Sequence, residues 1–223
     1  MRFLLGVDLG EMNDPTAFVL TEHVRAVEDP NIADTPRWDR RPKKIRNEYA
    51  TRKIERPPLG TSYPDIVRRT KAILQHPDIV GETQLIVDAT GVGIPVIEMM
   101  KEEGLNPIGI WITGGDQWSK VDYGYRVPKR DIATAAQIVF QSRRIKIARS
   151  LELAPVMIQE MGNFRIKIEN QHDKYEAWRS GQHDDIVLSQ AIILWYAEKV
   201  YPQSTMLDDK EHTTAEDWNP LLL

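Results

Sequence analysis

Apolar positions along this chain come first as short continuous runs and later as helical stripes. Residues 3–9 (FLLGVDL) form an apolar run interrupted by Asp8 and closed by Gly10, the pattern of a buried strand. NDP at 13–15 signals a turn, and TAFVLTEHV (16–24) then reads as a second strand returning beside the first. Residues 27–43 hold three prolines among many charges and read as a surface excursion. IRNEYATRKIE (45–55) completes the meander as a third strand.

From there the period changes. In YPDIVRRTKAILQH (63–76), Ile66, Val67, Ile73 and Leu74 recur at helical spacing. TQLIVDATGVGIPVIEMMKEEGL (83–105) reads as a strand ending in Asp88, a glycine turn, a helix, and Gly104 as its C-terminal stop. NPIGIWIT (106–113) predicts another buried strand, and GGDQWSKVDYGYRVP (114–128) a hairpin or loop close to the functional site. KRDIATAAQIVFQSRR predicts an amphipathic helix after Pro128, and IKIA a short strand. LELAPVMIQEMGNF predicts a helix, RIKIEN (165–170) one more strand, and HDDIVLSQAIILWYAEKVY (183–201) the last helix. Antiparallel strands first, then strand–helix–strand, then helices, describe an α/β domain over residues 1–201 with a mixed central sheet flanked by helices. Residues 202–223 form an acidic tail whose polar composition suits disorder.

Composition narrows the classes. The 223 residues are 41% hydrophobic and 28% charged, enough for one packed core, and no apolar run approaches the ~18 residues that span a bilayer. The N-terminus lacks the small-residue cleavage site of a signal peptide, so a cytoplasmic location is expected. Without cysteine, neither a disulfide nor a thiolate metal site can form. The net charge is −4, yet the charges are segregated. Arg37, Arg40, Arg41, Lys43, Lys44, Arg46, Arg52, Lys53 and Arg56 face only Asp39, Glu48 and Glu55 in their stretch. Between 126 and 149, Arg126, Lys129, Arg130, Arg143, Arg144, Lys146 and Arg149 face Asp131 alone. Such separation is the footprint of a polyanion-binding face; the plainer reading is a solvated surface whose charges cluster.

The chemistry rests on carboxylates. Asp8 lies inside the first strand, Asp88 ends the strand LIVD, and Asp184 and Asp185 open the last helix. Charges in apolar strands are costly unless they are paired or bound to metal. Oxygen donors without thiolates suit Mg²⁺ or Mn²⁺, and a converging set of such acids suits phosphoryl transfer with two ions. Taken singly, each element has a plainer reading. Paired acids at a helix start are also a helix cap. VDLG also opens the phosphate loops of actin-like kinases, although this chain is short for their two duplicated domains.

GVDLGEMNDPTAFVL, LIVDATGVGIPVIEMM, ITGG, VPKRDIATAAQIVFQSRRIKIA and NFRIKI…YEAWRSGQHDDIVLSQAIILW together resemble the nuclease domain of bacteriophage large terminase subunits. The resemblance runs in colinear order over about residues 1–200. It implies an RNase H-like fold, shared with Holliday-junction resolvases, and metal-dependent cleavage of double-stranded DNA during genome packaging. It places Asp8 and Asp88 as the first two catalytic, metal-binding acids, and Asp184 or Asp185 as the third. His183 is a further candidate ligand. If Val187, Leu188, Ala191, Leu194 and Trp195 form the buried stripe, Asp184 lies in line with it and Asp185 nearer its edge, so both are kept.

Lys129 and Arg130, at a helix N-terminus that favours anions, are candidates for holding DNA phosphate, as are Arg126, Arg143, Arg144, Lys43 and Lys44. Trp118, Tyr123 and Tyr125 either pack within the hairpin or lean on DNA. Glu11 and Asp14 are accessory candidates, and Thr90, Gly91 and Gly93 offer backbone N–H groups beside Asp88. A full large terminase also carries a packaging ATPase, and no G-x-x-x-x-G-K-[ST] loop occurs here. The expectation is a nuclease unit encoded separately, a fragment, or a prophage remnant. Its expected partners are double-stranded DNA and a separate packaging ATPase, portal or small terminase subunit, in the host cytoplasm if phage-encoded. A structure-selective resolvase and an inactive DNA-binding packaging subunit are the alternatives.

Overall fold

Three consecutive strands open the fold and set its direction. A computed structural model describes residues 2–10, 14–27, 45–91, 93–170 and 184–201. β1 (Phe3–Asp8), β2 (Ala17–Val27) and β3 (Ile45–Glu55) form an antiparallel meander. α1 (Tyr63–Leu74) is capped by the Ser62 hydroxyl, which accepts the Asp65 N–H, and it leads to β4 (Thr83–Asp88), parallel to β1. α2 (Gly93–Glu102) crosses to β5 (Pro107–Thr113), parallel to β4. The hairpin β6 (Ser119–Val121) and β7 (Gly124–Pro128) extends that side, with β7 parallel to β5. α3 (Lys129–Gln141), β8 (Ile145–Ile147), α4 (Ala154–Asn170) and α5 (Asp185–Lys199) complete the described elements.

The eight strands run in the order β6-β7-β5-β4-β1-β2-β3-β8. The central five, β3-β2-β1-β4-β5, have β2 alone reversed, which is the RNase H-like arrangement. Side-chain alternation sorts the core into two layers. Phe3, Leu5, Val7, Phe18, Leu20, Leu85 and Val87 face α1 and α2. Leu4, Ala17, Val19, Ile86, Ile110 and Ile112 face α3, α4 and α5. No described helix is long and apolar enough to cross a membrane.

Two expectations change. RIKIEN is not a strand: residues 165–170 continue α4, whose helix runs unbroken through Gly162. α5 does not bury a stripe. Ile186, Val187, Ala191 to Ala197, Ser189 and Gln190 are buried around its whole circumference, while Leu188 is only partly covered. A helix that is apolar on all sides belongs in the interior. Of its buried polar groups, Gln190 accepts the hydroxyls of Thr21 and Thr51 at 3.0 Å each, tying α5 to β2 and β3.

At the end of α5, the Tyr49 hydroxyl donates to Glu198 (2.5 Å) and Arg144 grips the same carboxylate at 2.7 and 3.0 Å. Burial alone would raise Glu198, but these bonds hold it below the ordinary carboxylate value. His23 stacks on Tyr49 with ring centroids 5.4 Å apart and meets Tyr201 edge-on at 5.8 Å. Burial lowers its pKa from 6.5, with Arg25 acting in the same direction against Asn47 and Glu198. The unfolded chain therefore takes up a proton as pH falls through 6.5 while the folded one does not. Stability present above that value should be lost progressively below it. Melting temperature followed by circular dichroism should fall from about pH 7 to about pH 5.5, and His23→Phe should flatten the slope. An equal slope in both proteins would contradict this account.

Candidate active site

The strand register decides where the acids stand. Asp8 is the last residue of β1 and Asp88 the last of β4, and the two are direct partners in a parallel ladder. Parallel partners point to the same face, so their Cα atoms lie about 4.8 Å apart with both side chains on one side. That side is the α5 face, since Leu4 and Ile86, in phase with them, pack against α5. Asp88 is buried (5% exposed) and Asp8 partly so. The backbone that follows orients Asp88. The Thr90 N–H donates to its Oδ1 at 2.8 Å, and the Thr90 hydroxyl accepts the Ile112 N–H from β5 at 2.8 Å. The Thr90 amide, expected to meet a phosphate, is thus spent on the carboxylate. Gly91 takes a left-handed φ of 89° that lets the chain turn away towards α2.

α5 brings a second pair of acids, Asp184 and Asp185, to the same edge. Asp8 pairs with Ala17, and Phe18 pairs with Glu55, which puts Arg56 at the level of Asp8 about two strand spacings (roughly 10 Å) away. Arg56 meets Asp185 there with two bonds, Nε to Oδ2 at 2.8 Å and Nη2 to Oδ1 at 2.9 Å. The same Nη2 reaches Glu160 Oε1 of α4 at 2.6 Å, and Glu160 Oε2 accepts the Val187 N–H at 3.0 Å. Burial raises the pKa of Glu160, as does Asp185 beside it, against the Val187 and Arg56 bonds. Asp184 occupies the N-cap position but makes no side-chain capping bond, so the plain cap reading fails for it.

Among the described residues, no three His, Cys, Asp or Glu side chains stand close enough together to hold a metal ion. The donor set still fits a hard divalent cation. Mg²⁺ is commonly held by one or two carboxylates, with waters and substrate phosphates completing the shell, and Asp8 with Asp88 provides such a pair. His183 and Glu11 lie outside the described residues. Asp14 is exposed in the turn after β1.

The basic candidates divide by location. β7 ends beside Thr113 on the edge that carries Asp8 and Asp88, so Lys129, the first residue of α3, stands at that edge, partly buried. α3 and α5 both begin there, which turns two helix N-termini with their partial positive charge towards the acids. Arg130 is exposed and bonded to Asp116, through the backbone oxygen at 2.5 Å and the carboxylate at 2.9 Å. Arg126 is exposed on β7. Arg143 and Arg144 are not at this edge. Tyr49, which pairs with Ile145, lies seven residues before Arg56, so they sit roughly 23 Å away along the sheet, with Arg144 held by Glu198. Lys43 and Lys44 lie outside the described residues. Trp118 and Tyr125 pack on Trp195 of α5 with centroids 5.9 and 5.7 Å away, and Tyr123 lies under Lys101 Nζ at 3.6 Å. The hairpin is therefore fastened to the body of the domain.

No family model matches the sequence, and no curated protein matches it. Among solved structures, the chain is similar to nuclease domains of phage and viral large terminases. The large terminase nuclease of the thermophilic phage G20c is 18% identical, with a TM-score of 0.49 over 88% of this chain and 82% of that one. The manganese-soaked human cytomegalovirus terminase nuclease domain is 13% identical, with a TM-score of 0.48 over 90% and 86%. The nuclease domain of the bacteriophage SPP1 large terminase, with bound manganese, is 16% identical, with a TM-score of 0.43 over 89% and 86%.

Arg56 and Glu160 belong to this site without standing out in the sequence. Arg56 is there only one member of a basic stretch. A signal for Glu160 does exist, because it falls between Met157 and Phe164 on the buried side of α4. A carboxylate on an apolar stripe needs a partner.

Proposed function

We propose that this chain is a divalent-metal-dependent endonuclease of double-stranded DNA, of the large terminase type. The observation that carries the reading is the in-register pair Asp8 and Asp88 at the edge where α5 begins. Two carboxylates held side by side on one face repel each other, and a divalent ion with a phosphate offsets that cost. When bound, Mg²⁺ or Mn²⁺, two ions to a site, would supply an activated water and would neutralise charge at the scissile phosphate and the leaving 3′ oxygen.

The chain's own groups then have distinct tasks. Asp8 and Asp88 hold the cations, and the Thr90 N–H fixes the rotamer of Asp88. Asp184 would join them as the third carboxylate when the cations bind, since in the structure itself no three acids among the described residues are close enough to hold a metal. Asp185 is engaged by Arg56 and holds the helix start in place. Lys129 and the N-termini of α3 and α5 attract the DNA backbone to this edge, with Arg130 and Arg126 outside it. Contacts of this kind ignore sequence and weaken steeply with salt.

Incubation with supercoiled plasmid tests the reading. With Mn²⁺ or Mg²⁺ the protein should nick and then linearise the plasmid, and EDTA should stop both. DNA binding without cleavage under any divalent metal would favour an inactive packaging subunit. Much faster cutting of a four-way junction than of a plain duplex would favour a resolvase.

A further inference from the structure

The pair Asp184–Asp185 sits where a helix cap belongs, and the capping is done by a different helix. A cap aspartate ordinarily adopts an extended backbone and accepts the N–H of the second or third helical residue. Asp184 has φ −130° and ψ 22°, and its side chain accepts neither. The third residue of α5 is Val187, whose N–H goes instead to Glu160 Oε2 at 3.0 Å. Glu160 is 4% exposed and comes from the middle of α4. Its other oxygen holds Arg56 at 2.6 Å, and Arg56 holds both oxygens of Asp185. One buried carboxylate thus caps the helix and anchors the cation that immobilises its first residue.

We propose that Glu160 is a positioning residue: by capping α5 from outside, it relieves the Asp184 carboxylate of that role, so that Asp184 can complete the Asp8–Asp88 set when a cation binds. The inference rests on the proposed function, since it takes Asp184 to serve a metal-binding set. Without Glu160, Val187 would offer a buried, unpaired N–H one turn from Asp184. The aspartate would then be drawn into the ordinary capping geometry and away from the pair. The helix would keep its fold and lose a ligand.

Calorimetric titration of the whole chain with Mn²⁺, alongside thermal melting, separates this from simple stabilisation. Asp184→Asn should weaken Mn²⁺ binding about tenfold, and Glu160→Ala should do the same, in the range found for residues that orient metal ligands. The double variant should bind no more weakly than either single one, because the two changes remove the same ligand. Glu160→Gln, which keeps an acceptor for Val187, should stay within about threefold of the wild type. Glu160→Met, apolar and of similar length, replaces alanine if the smaller side chain fails to fold.

Additive losses in the double variant would overturn the proposal, as would unchanged Mn²⁺ binding in Glu160→Ala or Glu160→Met. A loss in Glu160→Gln as large as in Glu160→Met would also overturn it, by showing that charge rather than capping matters. Unchanged binding in Asp184→Asn would overturn it too. Asp8→Asn decides whether the functional reading goes with it: weakened binding there leaves the nuclease site standing, and unchanged binding removes both.

Discussion

Asp8→Asn and Asp88→Asn should each lower metal-dependent plasmid cleavage by about a thousandfold while leaving the fold intact. Metal ions at a phosphoryl site supply several kcal/mol of transition-state stabilisation, and each ~1.4 kcal/mol is tenfold in rate. Both substitutions keep the shape of the side chain. In Asp88→Asn the new amide oxygen can still accept the Thr90 N–H, so the loop that orients this position should survive. Either change also removes one of two like charges whose Cα atoms are about 4.8 Å apart, so melting temperature in EDTA should be unchanged or higher. That opposition is what separates a functional pair from a structural one. Residues kept for stability lose stability when replaced; these should keep or gain it and lose activity. Cleavage surviving both substitutions would sink the site.

Much of the scaffold was legible because its elements are locally consistent. The meander, the strand–helix–strand unit around Asp88 and the 119–128 hairpin were marked by period and by turn residues, and the structure has all three. RIKIEN misled because isoleucine and lysine alternate with the period of a strand. The segment has no turn before it, however, and Gly162 lies on an open face of α4 where it interrupts nothing. Local alternation lost to helical continuity. In α5 the error was to look for one face in a run apolar enough to be buried on every face.

Asp8 and Asp88 were readable as candidates for a physical reason: a charge in an apolar strand is an anomaly that one sequence can display. Their register was not, since it depends on how β1 and β4 pair across the intervening meander and α1. The surroundings of Asp184 and Asp185 were beyond the sequence altogether. Arg56, 129 residues from Asp185, bonds both it and Glu160 on α4. Basic residues that looked like one surface in sequence fall at two ends of the sheet, because β8 starts beside Tyr49 while α3 starts beside Thr113.

Gly6→Val should destabilise the domain and silence the site from two residues away. Gly6 lies on the α5 face between Leu4 and Asp8. A Cβ there would run into the Ser189 carbonyl oxygen and come within 2.8 and 2.9 Å of Ile193 Cδ1 and Cγ1. A backbone carbonyl inside a buried helix cannot step aside as a side-chain tip can, so α5 as a whole would have to lift from β1. Overpacking of this kind costs about 3 kcal/mol, with valine worse than alanine. For a domain of this size, that is a fall of roughly 6–12 °C in melting temperature. The same displacement would carry Asp184 and Asp185 away from Asp8 and Asp88, since Ser189 is one turn past Asp185. Cleavage by Gly6→Ala, measured well below its melting temperature, should therefore drop at least about tenfold even where the protein is fully folded, because small misplacements of reacting groups are expensive. A Gly6→Ala protein that melts lower yet cuts at the wild-type rate would show that the α5 acids need no close seat on β1, and the third carboxylate would have to be sought elsewhere.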